Sequence, residues 1–371
     1  MAYLVYGGTM RGHRPVQPSF VSLINVEALI AADHPIRAIK RMCDEVLKAM
    51  DEHFDEIYAA DGAPSIPPET LLKAKVLQAL HTVRSDRQLC ARLQTDLLFR
   101  WFIDLPLEQA VFDASVFSKN QERLLSHAVA DLFFAEVVEL ARRHGWISDE
   151  HFSVDGTLIE AWASLKSFRS KDDQQGPGGG NAWMDFKGEQ RRNDTHQSTT
   201  DAEAKLVRKG PGKEARLCFA GHATMENRHG LCVLFDVKPA VGAPESAVAV
   251  EQLTELRNRG FRPKTVGADK GYHTREFIDG TRQQGVVPHP ALKAGQKTWR
   301  VRLTAAHALS QKLRKRIEEI FGWAKTTGCL RKSRYRGVDR THAQGQYVVA
   351  ACNLVRMAKL LLSGPPQPVR A

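Results

Sequence analysis

From about Ser22 to Gly145 the apolar residues recur every three or four positions, the spacing of helices that bury one face. Asp33 as cap and Pro35 in the first turn open a helix whose inward residues are Ile36, Ile39, Cys43, Val46, Leu47 and Met50. A second helix begins after Pro67 and Pro68 and turns Leu71, Leu72, Val76 and Leu80 inward; a third opens at Ser85, and a long one is predicted from Asp113 to His144. The tight joint near Val83 to Asp86 reads either as a helix-turn-helix that enters a DNA groove or as plain bundle packing.

After Gly145 the period changes. In HFSVDGTLIE, Phe152, Val154 and Leu158 mark a strand that carries Asp155 with Gly156 directly behind it. The stretch 167–215 is rich in glycine and charge, has no apolar period and is read as a flexible loop. Its PGGGN is not a phosphate-binding loop, since no Gly-Lys-Ser/Thr follows. ARLCFAGHATMEN and LCVLFDVKPA, separated by Arg228 to Gly230, predict a hairpin. A helix from about Glu245 to Arg259 leads to a strand ending at Asp269. Another helix, a short strand at Val286 to Pro290 and a helix with the stripe Leu309, Leu313, Ile317, Ile320, Phe321 and Ala324 follow. A closing helix at Gly345 to Leu362 packs or dimerises. Strands, crossover helix, strand and helix form an α/β order.

Three acids stand out on these elements: Asp155 and Asp269 at strands and Glu318 on the last striped helix, 114 and then 49 residues apart. At about 100° per residue, Arg314, Glu318 and Lys325 fall within about 40° of one another on the border of that stripe, and Glu319 lies about 140° from Arg314. The helix therefore presents Glu318 to the sheet and Glu319 to solvent. Each acid alone reads as solvated or salt-bridged, and Arg314 with Glu318 as a surface pair at i and i+4. Together they point to a divalent-metal site, because magnesium takes one or two carboxylates per ion and a pair of ions serves in-line displacement at phosphorus.

At these residues the chain resembles the DDE transposases of bacterial insertion sequences, specifically the insertion-sequence-five group of the insertion-sequence-four superfamily. Ser153 to Thr157 is similar to the first aspartate motif, Ala268 to Tyr272 to the second, and Arg314, Glu318 and Lys325 to the third. A tyrosine of that third motif is Gln311 here. NDTHQSTTDAEAKLVRKG, GHATMENRHGL, SDRQLCARLQTDLLFRWFIDL and FDASVFSKNQERLL extend the likeness over most of the chain. The resemblance implies an α + α/β protein. It would have a tail at 1–20, a helical DNA-end-binding domain at 21–145, a ribonuclease H-like mixed-sheet catalytic core at 146–342 containing the loop 167–215, and a C-terminal helix and tail at 343–371. It implies Asp155, Asp269 and Glu318 as catalytic residues and ligands of two Mg²⁺, with Mn²⁺ as a substitute. Its partners would be double-stranded DNA, as terminal inverted repeats and as target, bound by a homodimer or larger assembly in the bacterial cytoplasm at the nucleoid. A host-adopted DNA-binding protein and a non-transposing metal nuclease share the same features.

Charge sharpens this picture. The chain of 371 residues carries a net +11, and the whole excess lies between Lys293 and Arg340, with 14 Lys and Arg against 3 acids. Such a field gives sequence-independent, salt-dependent affinity for phosphate. The DNA-contact candidates are Arg314, Lys325, Lys315, Arg331, Lys332, Arg334 and Arg336, with Arg84 and Arg87, and then Arg92 and Arg100, in the helical region. Trp299, Trp323 and Tyr335 lie among the charges, either to stack on unpaired bases or to fill the core. Six cysteines without CxxC or zinc-like spacing read as reduced thiols. No apolar run reaches the roughly 20 residues that span a membrane, the start lacks signal-peptide features, and Met10 is a second plausible start.

Overall fold

The computed structural model describes residues 25–57, 65–171, 191–208, 210, 212–242, 244–295, 297–298 and 301–363. The tail expected at 1–20 and Trp299 lie outside them. The first part is helical: α1 (Val26–Leu29), α2 (Pro35–Ala49), α3 (Asp51–Ile57), α4 (Pro68–Leu80), α5 (Asp86–Thr95), α6 (Leu97–Phe102), α7 (Ala114–Ser126) and α8 (Val129–Arg143). Pro35 fixes the first helical position of α2, so the residue just before it is the cap. His34 Nδ1, not Asp33, accepts from the Ile36 N–H at 3.1 Å. The single helix expected over Asp113 to His144 is two, broken where Ala128 takes a left-handed φ of +50°.

Every residue of α4 from Leu71 to Ala79 is buried, so this helix is the hub of the bundle and turns no face outward. In the tight joint it is α5 that has an open face, with Arg87, Gln88, Ala91 and Gln94 exposed. Arg100 is not on any outer surface: it is 9% exposed and its guanidinium donates to the carbonyls of Pro106 and Gln109.

The second part is a sheet of β1 (His151–Glu160), β4 (Lys205–Arg208), β5 (Ala215–Glu226), β6 (Leu231–Pro239), β7 (Thr265–Ala268) and β8 (Val287–Pro290). β6, β5 and β1 run antiparallel, and β1, β7 and β8 run parallel, in the order β6-β5-β1-β7-β8. β4 continues the β6 edge along Ala215 to Cys218. This is the mixed sheet expected of a ribonuclease H-like core, following a helical N-terminal region. Helices α9 (Glu245–Asn258), α10 (Arg275–Gln283), α11 (Ala305–Leu313), α12 (Ile317–Thr326) and α13 (Val338–Ser363) surround it.

The region 167–215 is not loop throughout. β2 (Phe168–Ser170) pairs with β3 (His196–Ser198), and β4 joins the main sheet. β2 (FRS), β3 (HQS) and β4 (KLVR) are short and mostly polar, without the apolar run that marks β7, and their pairing spans the intervening chain.

α13 begins seven residues earlier than expected, so the boundary drawn between 342 and 343 falls inside it. Its polar residues seal the outer edge of β6. His342 Nδ1 accepts from Val237 N at 3.2 Å, Gln346 Nε2 donates to Phe235 O at 2.9 Å, and Asn353 exchanges two bonds with the Cys232 backbone at 2.9 and 2.7 Å. An open strand edge invites pairing with another chain, and here the chain's own helix occupies it. Gly345 lets α13 come this close, since a β-carbon there would collide with the Phe235 ring. α13 also packs on α8, α4 and α2 and so joins the bundle to the sheet. All six cysteines are free, as expected. Among the described residues no helix is long and apolar enough to cross a membrane.

Candidate functional site

β1 and β7 are parallel neighbours with Ser153 opposite Gly267. Two residues further on, the same register brings Asp155, in mid-strand, beside Asp269, the first residue past β7, on strands about 4.8 Å apart. Each acid is tied to a glycine behind it: Asp155 Oδ1 accepts from Gly156 N at 2.8 Å and Asp269 Oδ1 from Gly271 N at 2.6 Å. Both carboxylates are half-buried. Burial, then the Asp269 and Glu245 charges, push the Asp155 carboxyl up to about 6, against the lowering effect of its Gly156 N–H bond and of Arg314.

Arg314 reaches this pair from the helix side, its Cβ over Gly267, where a side chain larger than hydrogen would collide. Gln311, the departure in the third motif, holds it there. Gln311 Nε2 donates to the carbonyls of Ala268 and His289 at 3.3 and 2.5 Å, and its Oε1 accepts from Arg314 Nε at 2.8 Å. The side chain thus spans from the end of β7 to the guanidinium. The signal available in sequence was its i, i+3 spacing to Arg314.

Burial does not distinguish Glu318 from Glu319, as the helical projection predicted it would. The striped helix is α11 and α12 joined by a 3₁₀ turn at Arg314–Arg316. Three residues at about 120° instead of about 100° add about 60° of rotation, and Glu318 is exposed, like Glu319. An acid that the sequence analysis missed acts on the aspartates. Glu245 opens α9, its carboxylate sits over Gly156, and its charge acts on Asp155. Solvent reaches it, yet surrounding protein and the Asp269 charge raise its carboxyl. An acid in the first turn of a helix is so common a feature that nothing in the sequence marked this one.

Hard oxygen donors, opposed by one cation in Arg314, suit a divalent ion such as Mg²⁺. Among the described residues, however, no group of three or more His, Cys, Asp or Glu is gathered into a ready metal cage. The site therefore fits a metal in its donor chemistry without being preassembled.

The basic candidates divide. Arg84, Arg87, Lys315, Arg331, Lys332 and Arg336 are exposed, and Lys325 is half-buried. Arg331 and Lys332 are pinned to the end of β1, where Glu160 N donates to Arg331 O at 3.0 Å and Ser333 N to Glu160 O at 2.7 Å. Five strand residues separate that point from Asp155, about 16 Å. Arg334 turns inward and donates to Gln78 Oε1 at 3.0 Å. Tyr335 is also interior: its hydroxyl accepts from Lys75 Nζ at 2.9 Å and donates to Gln121 at 3.2 Å, so its ring is not a platform for bases. Trp323 packs half-buried against the core. Arg92 pairs with Asp96 at 3.1 Å.

Behind β7 and β8 lie three histidines. The buried His289 ring is 6.5 Å from His151 and 5.5 Å from His307. Burial first, and then these neighbours, push His289 down to about 4. A histidine with a lowered folded value contributes stability above its ordinary value of 6.5 and loses it as pH falls toward 4. This ring alone should cost about 3 kcal/mol over that window, and His289→Phe should remove that part of the acid loss. Urea unfolding at neutral and acid pH checks this; equal acid losses in both proteins would contradict it.

Against known proteins, the family described as Transposase domain (DUF772) matches residues 24–123, and the family described as Transposase DDE domain matches residues 146–354. No curated protein matches. Among solved structures, a piggyBac transposase synaptic complex with hairpin DNA is similar at a TM-score of 0.42 and 10% identity over 90% of this chain and 76% of that one. The Mos1 strand transfer complex follows at 0.21 and 10% over 81% and 79%. The Mos1 mariner paired end complex with Mn stands at 0.21 and 10% over 86% and 85%.

Proposed function

The chain belongs to the transposase DDE-domain family, a family of DNA strand-cleaving and strand-transferring enzymes that use divalent metals, and on that premise we propose that it moves an insertion sequence of the insertion-sequence-five group. The observation that carries this reading is the register that sets Asp155 beside Asp269 on the two central strands, at the positions of the family's two aspartate motifs.

In this reading Asp155, Asp269 and Glu318 would hold Mg²⁺, or Mn²⁺ in its place. The bound ions supply activation of the attacking oxygen and stabilisation of the leaving one. Arg314, steered by Gln311, faces the phosphate where negative charge develops. Lys325, Lys315, Arg331, Lys332 and Arg336 contact backbone phosphates, and the open face of α5 with Arg84 and Arg87 meets the terminal inverted repeats. The first reaction frees a 3′ hydroxyl at the element's end, and the second joins that hydroxyl to target DNA. Two ends must be paired, so the working form is a homodimer or larger, in the cytoplasm of a bacterium.

The test is incubation of the protein and Mg²⁺ with DNA carrying the gene's own flanking ends, with breaks mapped and joined products sequenced. Cuts at the ends followed by joining are expected. Cutting without joining would make it a non-transposing nuclease, and binding without cutting an adopted DNA-binding protein. Lys325→Ala should weaken DNA binding and reduce the salt slope by about 1; an unchanged slope in a salt titration would remove Lys325 from the phosphate contacts.

A further inference from the structure

We propose that Glu245 is a further carboxylate ligand of the divalent cation held at Asp155 and Asp269, an inference that rests on the metal-dependent reading above. The geometry begins with Gly156. A β-carbon built there would lie 2.7 Å from Glu245 Oε1 and 2.9 Å from its carboxyl carbon, so the missing side chain of the residue after Asp155 is what admits this carboxylate. Alternation along β1 turns Asp155 and Gly156 to opposite faces. Arg314 approaches on the Asp155 face, over Gly267, and Glu245 on the other, from the first residue of α9. The strand aspartates are thereby flanked by a cation on one side and an anion on the other.

A first-turn acid with only a helix-end role gains by turning into solvent or toward the free N–H groups. This one lies over β1, where its charge acts on Asp155 and the Asp269 charge acts on it, and among the described residues no hydrogen bond or ion pair holds it there. Its charge also reaches the buried Tyr272. Such a grouping is unfavourable until a cation joins it. Among the described residues the three acids are not drawn to one point. An ion that keeps several waters needs only one or two carboxylates directly, and the solvent-exposed Glu245 is free to supply one of them.

The experiment is titration of the full-length protein with Mn²⁺ alone, read by electron paramagnetic resonance. It compares wild type, Asp155→Asn, Glu245→Gln, Glu245→Asp and Gly156→Ala, each with its metal-free urea unfolding curve. Glu245→Gln should weaken Mn²⁺ binding by about tenfold or more, Glu245→Asp should recover part of it, and the metal-free protein should lose no stability. Gly156→Ala, which displaces the Glu245 carboxylate without removing a charge, should also weaken binding. If Asp155→Asn loses Mn²⁺ while Glu245→Gln and Gly156→Ala bind as wild type does, Glu245 is not a ligand and the aspartate site stands. If wild type binds no Mn²⁺, or Asp155→Asn binds it unchanged, the metal site itself fails and this inference with it.

Discussion

Asp155→Asn should abolish strand cleavage and at the same time make the metal-free protein more stable. The loss of activity should be about 10³-fold or more, the scale of removing a preorganised electrostatic partner from a charged transition state. The gain in stability follows from the Asp155 carboxyl being held at about 6. A carboxyl raised on folding contributes stability fully below its ordinary value near 4, and loses it as pH rises through 6. Well above 6 the charged aspartate therefore costs the fold about 3 kcal/mol, which asparagine of the same shape recovers. In urea unfolding with chelator, the variant should exceed wild type by that amount at about pH 8, and the difference should vanish near pH 4. Added Mg²⁺ should reverse the order at high pH, because only wild type gains from binding. A variant less stable than wild type without metal would show that Asp155 serves the fold.

The second large effect lies at Lys75, on the fully enclosed helix α4. Its ammonium is 5% exposed and bonds Asp86 at 3.0 Å, where the carboxylate is 15% exposed, together with Gln78 and the Tyr335 hydroxyl. Removing one partner of a buried pair leaves the other charge uncompensated, at about 3 to 5 kcal/mol. Lys75→Met should lower stability by that much in urea unfolding. The double change with Asp86→Asn should recover part of it, since the neutral amide removes the unpaired charge and its oxygen still accepts one of the two bonds that Gln78 and Gln121 give Asp86. Tyr335 belongs to the basic segment, so hydrogen exchange there should rise in Lys75→Met. A loss under about 1 kcal/mol, as in exposed pairs, would mean that water already reaches this network.

Much of this arrangement was legible in the amino-acid sequence. The β5–β6 hairpin stood out because long alternating runs flank a turn in which Gly230 takes φ +73°, and the two aspartates stood out because acids rarely border apolar strands. What was not legible has identifiable causes. The α7–α8 break has neither Gly nor Pro to signal it, although Ala128 takes a positive φ there. β2 to β4 are short and mostly polar, with no apolar run to mark them. The angle between Glu318 and Arg314 was misread because a helical projection assumes one rotation per residue, and the 3₁₀ turn at Arg314–Arg316 changes it. Arg100, Arg334 and Tyr335 look like DNA-facing groups in a basic stretch, and their inward bonds depend on segments far away in the chain. Glu245 became visible only when the fold brought it over the gap left by Gly156.

The most direct measurement of the central claim is cleavage of the polypeptide itself by bound iron. Fe²⁺ with ascorbate and peroxide breaks peptide bonds next to the ion, so the fragments map the site without any DNA. Cuts should cluster near Asp155 and Asp269, fade as Mg²⁺ competes, and disappear in Asp269→Asn. Cuts that fall elsewhere, or that persist in Asp269→Asn, would contradict a metal site between the two central strands.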